Sequence, residues 1–151
     1  MKKIIIIGGS KGIGQAIIQA HIDTHEVINI SRTPPAISHP NVLHYDCDIL
    51  TDDLPEIEAA DALVYCPGSI NLKPISRLSL EDFREDFEIN VLGAVKTIQT
   101  YLPILKKGSH PSIVLFSTVA AKLGMPYHAS IATAKSGVEG LVKSLGAELA
   151  P

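Results

Sequence analysis

The chain has 151 residues, 46% of them hydrophobic and 19% charged, which is enough sequence for one domain with a real core and the composition of a soluble globular protein. A net charge of -3, with no basic cluster and no aromatic platform, argues against nucleic acid or an anionic membrane as partner. No window approaches the roughly 20 apolar residues of a membrane helix, and the apolar run after Lys2 and Lys3 stops too early for a signal peptide, so a cytoplasmic location is expected.

The first element is a strand at 2–7 that ends in four isoleucines, Ile4 to Ile7. It runs into Gly8-Gly9-Ser10-Lys11-Gly12-Ile13-Gly14, and a helix from about 13 to 22 follows, with Ile13, Ile17, Ile18 and Ala20 as its apolar positions. A strand, a glycine-rich turn and a helix N-terminus make a phosphate cradle. Gly8 permits the tight turn, Gly12 lets backbone approach a pyrophosphate, and Gly14 lets the helix pack closely on the sheet.

Apolar runs predict further strands at about 26–31, 42–46, 61–66 and 111–117. Between the second and third, Pro34, Pro35 and Pro40 leave no room for a helix of normal length, and 50–60 holds at most two or three helical turns. Cys47 and Cys66 lie near strand ends without paired spacing, so free thiols are expected rather than a disulfide or metal site, and the six histidines are scattered. Ser79 with Asp82 reads as a capping box that opens a long helical region. There Phe83, Phe87, Val91, Val95, Ile98, Leu102 and Leu105 repeat at threes and fours up to Gly108, which predicts one face buried along its whole length. A last helix over about 129–149 carries Ala129, Ala132, Ala134, Gly137 and Gly140, small enough for close packing. Alternating strands and helices with right-handed crossovers give an α/β fold over 1–151 as a single domain: a doubly wound parallel sheet in the order 3-2-1-4-5, with a ligand crevice at the carboxyl ends of strands 1 and 4.

The glycine spacing, GxxxGxG, resembles the short-chain dehydrogenase/reductase family, whose usual form is TGxxxGIG. Ile7 stands in place of the usual threonine, while Gly8, Gly12, Ile13 and Gly14 match, and the other family landmarks follow in order along essentially the whole chain. The resemblance implies a Rossmann-type fold, a nicotinamide dinucleotide held by Gly8, Ser10, Lys11, Gly12, Ile13 and Gly14, and hydride transfer between it and a carbonyl or secondary alcohol.

The second strand ends in Ser31-Arg32, where NAD-dependent relatives carry an acidic side chain. Arg32 offers a planar donor fork to a 2′-phosphate and Lys11 a second positive charge, which favours NADP(H) over NAD(H); the alternative is that both are solvated surface cations. Asp48-Ile49 resembles the family's Asp-Val pair, whose carboxylate receives the adenine amino group and whose aliphatic side chain lines the ring; alternatively Asp48 caps the short segment after it. In place of the family's NNAG stands Tyr65-Cys66-Pro67-Gly68, of which Gly68 alone matches, leaving close backbone approach to the adenosine side of the cofactor and a packed thiol at Cys66.

The resemblance further implies a relay of Asn, Ser, Tyr and Lys. Asn90 and Lys135 match their segments, Ile89-Asn90-Val91-Leu92-Gly93 and Ala134-Lys135-Ser136-Gly137-Val138, and Thr118 aligns with the serine, with Ser117 as the fallback. Either hydroxyl equally suits a turn that ties down the strand end. The tyrosine of YxxxK is replaced by Ile131, which has no proton to give. Tyr127 and His128 lie about one turn upstream, as substitute donors or simply as the loop entering the helix.

The resemblance stops at Glu148-Leu149-Ala150-Pro151, where family members continue with another strand, a substrate-binding loop and helix, and a final strand. The C-terminal part of the family fold is therefore expected to be missing. The long helix and the last helix resemble the pair through which members form homodimers and homotetramers. Three readings follow: an NADP(H)-dependent oxidoreductase with an atypical proton donor, a dinucleotide-binding protein that has lost the chemistry, and a fragment of a longer enzyme.

Overall fold

The computed structural model describes residues 1–150; Pro151, the last position of the expected domain, lies outside the described residues. Five strands, β1 (Lys2–Ile7), β2 (His25–Ser31), β3 (Val42–Asp46), β4 (Ala62–Tyr65) and β5 (Ser112–Leu115), form one parallel sheet in the order β3-β2-β1-β4-β5. The helices are α1 (Gly12–His21), α2 (Leu80–Phe87), α3 (Gly93–Leu105) and α4 (Ala129–Leu149), with a π-helical turn at Glu88–Leu92. The chain divides into two compact units, one built from Met1–Pro67 with Val95–Val114, the other from Gly68–Ala94 with the residues from Leu115 on.

In the first unit β1 pairs with β2 and β4 in parallel, Ile5 facing Ile28 and Leu63. Ile5, Ile6 and Ile7 are fully buried, as expected of a central strand covered on both faces. Ile18 of α1 and Ile98, Tyr101 and Leu105 of α3 complete this core. The Tyr101 hydroxyl finds its partner in the Pro55 carbonyl at 2.9 Å. Residues 50–60 hold no helix, only the turn in which the Thr51 and Asp52 N–H groups return to the Asp48 carbonyl.

In the second unit α2 opens on the capping box, Ser79 and Asp82 each satisfying the other's backbone N–H. The expected apolar stripe is only partly realised. Phe87 is 41% exposed, whereas Asp82, Asp86 and Asn90 are buried. The buried face is centred one residue earlier, where its polar members find partners: Lys73 and Ser79 for Asp82, Ser69 and Asn71 for one oxygen of Asp86, and the Asp86 carbonyl for the Asn90 amide nitrogen. A count of apolar side chains cannot see this, since burial of a polar group depends on hydrogen bonds that only the fold supplies. β5 is also shorter than its apolar run, because Phe116 and Ser117 turn toward α4, to Lys135 and Glu139.

Candidate functional site

At the end of β1 the chain turns through Gly8 (φ +78°) and Gly12 (φ +59°), conformations that side chains with a Cβ rarely adopt. A Cβ on Gly14 would overlap the Gly8 carbonyl oxygen, so α1 packs directly on the loop backbone. A Cβ on Gly12 would meet nothing within 4 Å, leaving the outer side of the loop open. Lys11, at the start of α1, is extended and gives no side-chain cap, and no acidic residue lies in the first turn. The first N–H groups of α1 are thus offered outward with the positive end of the helix dipole, which fits a dinucleotide diphosphate. Ser10 is half-buried, and Lys11 and Ile13 are exposed beside this opening.

Ser31 and Arg32, adjacent in sequence, have different fates. Ser31 is buried, and its hydroxyl donates to the Thr33 carbonyl at 2.8 Å. Arg32 has 76% of its side chain exposed, with its guanidinium 3.9 Å from the Asp48 carboxylate. Asp48 also accepts the Leu50 N–H at 3.0 Å, the capping arrangement read from sequence as its alternative role. Its neighbour Ile49 is buried. Asn29 escaped the sequence reading: it is fully buried in β2 and accepts the Gly9 N–H at 2.8 Å. A polar residue inside the apolar run Val27-Ile28-Asn29-Ile30 was the available signal.

The second unit brings Gly68, Asn90 and Lys135 together. Asn90 lies in the π-helical turn, a distortion frequent at functional sites. Its amide donates to the Asp86 carbonyl at 2.8 Å, satisfying a group one turn back. Its Oδ1 is buried without a protein partner. A Cβ placed on Gly68 would lie 3.0 Å from that oxygen and 3.8 Å from Lys135 Nζ. The Lys135 ammonium donates to the Phe116 carbonyl at 2.9 Å, and burial holds its pKa below the usual lysine value.

Thr118 Oγ1 accepts the Ala120 N–H at 3.3 Å, the turn-forming role. Ser117 donates to Glu139 at 2.7 Å. Ile131 is 4% exposed, and its neighbour Ser130 donates to the Asp82 carbonyl. Tyr127 and His128 form the entry to α4: Tyr127 has φ +67°, a strained value for a bulky residue, and His128 is the N-cap, its Nδ1 2.6 Å from the Pro126 carbonyl, which it engages as donor. Both line a cavity of about 510 Å³ with Lys73, Met125, Ala132 and Thr133, and its lining includes neither Thr118 nor Lys135. Asp86, Ser69 and Asn71, which hold the segment after Gly68 against α2, had no distinguishing sequence pattern.

Among the described residues no group of three or more His, Cys, Asp or Glu is placed to hold a metal ion. Nor, among the described residues, is any helix long and apolar enough to cross a membrane. Burial pushes the Cys66 thiol up to about 11, which leaves it protonated at neutral pH.

A family model described as short chain dehydrogenase matches residues 48–151. The chain is 27% identical to a 2,5-dichloro-2,5-cyclohexadiene-1,4-diol dehydrogenase of Sphingobium indicum, over 97% of this chain and 66% of that protein. It spans about two thirds of the length of that curated relative. Among solved structures it is similar to the ligand-free aldohexose dehydrogenase of Thermoplasma acidophilum, with a TM-score of 0.87 and 25% identity over 99% of this chain and 62% of that one. ElxO with NADP bound superposes with a TM-score of 0.87 at 23% identity, over 99% and 68% of the two chains, a likeness of fold alone.

Proposed function

Because the chain belongs to the short chain dehydrogenase family, we propose that it is an oxidoreductase that binds NADP(H) and acts on a carbonyl or secondary alcohol. The observation that carries this reading is the approach of Asn90 Oδ1 and Lys135 Nζ to one side of Gly68. An ordinary core would not bury an amide oxygen without a partner beside a half-buried lysine, unless a ligand or water is to complete them.

The cofactor supplies the hydride. The residues to hold it are Gly8, Ser10, Lys11, Gly12, Ile13 and Gly14 at the diphosphate, Arg32 with Lys11 at the 2′-phosphate, Asp48 and Ile49 at the adenine, and Gly68, Asn90 and Lys135 at the nicotinamide ribose. Thr118 orients the substrate oxygen, which requires its hydroxyl hydrogen, left unused by the bond it accepts from Ala120. Asn90 positions a water. The preference for NADP(H) rests on Arg32, whose side chain is largely exposed and able to reach a phosphate, with no acidic residue at the end of β2.

A second reading is favoured by Ile131, buried where the family's tyrosine would stand: a dinucleotide-binding protein without the chemistry. Titration separates the parts of the proposal. NADPH should bind more tightly than NADH, and Arg32→Asp should reduce or reverse that preference; equal affinities in the unmodified chain would remove the NADP(H) assignment, and no binding of either would remove the dinucleotide reading altogether. The chain is also expected to assemble with itself through the long helical region that ends near Lys107 and through α4; Phe83, Phe87 and Ala134 line an apolar cleft between α2 and α4. Light scattering that finds only monomer would count against this.

A further inference from the structure

Asn29 stands between Ile28 and Ile30 in the middle of β2, fully buried, and its side chain makes three hydrogen bonds. Oδ1 accepts the Gly9 N–H at 2.8 Å, while Nδ2 donates to Ser31 Oγ and to His44 Nδ1, each at 2.9 Å. These bonds admit one orientation. The Gly9 N–H can only donate, so turning the amide over would set NH₂ against N–H. Ser31 spends its own hydrogen on the Thr33 carbonyl, and so its oxygen is left to accept. Because Nδ2 can only donate, His44 Nδ1 must carry no proton. His44 is placed for this by the β2–β3 register, in which it sits opposite Asn29.

The loop is drawn closely onto this side chain. A Cβ on Gly9 would overlap Asn29 Oδ1 and lie 2.6 Å from Ile18 Cδ1, so Gly9 is glycine for want of space rather than for its backbone angles. Burying an amide in an apolar strand is unfavourable unless its polar atoms find partners, and here both amide hydrogens and the oxygen are engaged. The result is a polar tie from β3 through β2 to the loop that precedes α1.

We propose that Asn29, its amide fixed by His44, is the positioning residue of the glycine loop: it sets the path of Gly8, Gly9 and Ser10 and so the placement of the first N–H groups of α1 toward a dinucleotide diphosphate. This rests on the cofactor reading above and adds to it the device that shapes the site before the ligand arrives.

The test compares the full chain with Asn29→Leu and Asn29→Asp, by amide hydrogen exchange at Gly9 and by titration with NADPH and with adenosine 2′-monophosphate, which has no diphosphate. Asn29→Leu should speed Gly9 exchange and weaken NADPH by about tenfold or more, because a buried N–H loses its acceptor, while leaving the 2′-monophosphate within about twofold. Asn29→Asp, whose carboxylate still accepts from Gly9, should restore slow exchange and most of the NADPH affinity, with a proton now on His44 Nδ1 visible in the ring nitrogen spectrum. Wild-type exchange or wild-type NADPH affinity in Asn29→Leu overturns the proposal, as does equal loss of both ligands. If Asn29→Leu does not fold, His44→Phe at the half-buried ring decides: faster Gly9 exchange supports the tie and unchanged exchange overturns it. Failure of the functional reading looks different, since the unmodified chain would then bind no dinucleotide while Gly9 exchange still answered to residue 29.

Discussion

Asn90 and Lys135, carried by the π-helical turn and by α4, converge on Gly68 so closely that a methyl group there would lie 3.0 Å from Asn90 Oδ1 and 3.8 Å from Lys135 Nζ. The amide has little freedom to retreat, because its nitrogen is tied to the Asp86 carbonyl.

Gly68→Ala is therefore expected to push the Asn90 amide aside, with a loss of stability of about 1 kcal/mol and a weakening of NADPH binding greater than that of adenosine 2′-monophosphate. Urea unfolding and ligand titration read the two effects. Wild-type values in both would mean that the convergence on Gly68 has no role in the site.

Asp82 sets a dependence of stability on acid. The hydrogen bond from the Lys73 ammonium at 2.7 Å, followed by that from the Ser79 N–H, holds its carboxyl at about 2, below the ordinary 3.8. A depressed folded-state value means that the unfolded chain takes up this proton first, so the contribution is full above about pH 4 and is lost as pH falls through about 2. Urea midpoints measured across that window should fall more steeply for the unmodified chain than for Asp82→Asn. Parallel curves would show that the carboxylate contributes nothing specific.

The source of the proton is open to a direct trial. Tyr127 and His128 face a cleft whose lining omits Thr118 and Lys135, so Tyr127→Phe and His128→Ala are each expected to leave any NADPH-dependent carbonyl reduction within about twofold. Ile131→Tyr, on the helix face that carries Lys135 one turn later, should raise that reduction by about 10² in a chain able to bind substrate, the usual worth of a positioned proton donor. A 10²-fold fall in either of the first two variants would reinstate a substitute donor, and an inert Ile131→Tyr chain that still binds NADPH would favour the loss of the chemistry.

Much of the fold was legible because its signals are local. The isoleucine run, the glycine loop and the Ser79–Asp82 capping box depend on residues within a few positions of one another, and all appear where the sequence places them. Strand order followed from the handedness of crossovers, a property of any twisted parallel sheet. Asn90 and Lys135 stood out by their segments, yet nothing along the chain said that both approach Gly68.

What the tertiary structure alone decided is which polar groups are buried and what satisfies them. Phe87 faces outward and Asp86 inward because Ser69 and Asn71 come from another segment to meet the carboxylate. Asn29 reads as an interruption of β2 until the fold sets Gly9 and His44 on either side of it. Apolar burial is nearly additive and can be counted from a pattern, whereas a buried hydrogen bond exists only when two partners distant in sequence are brought within reach, and that is settled by the packing of the whole chain.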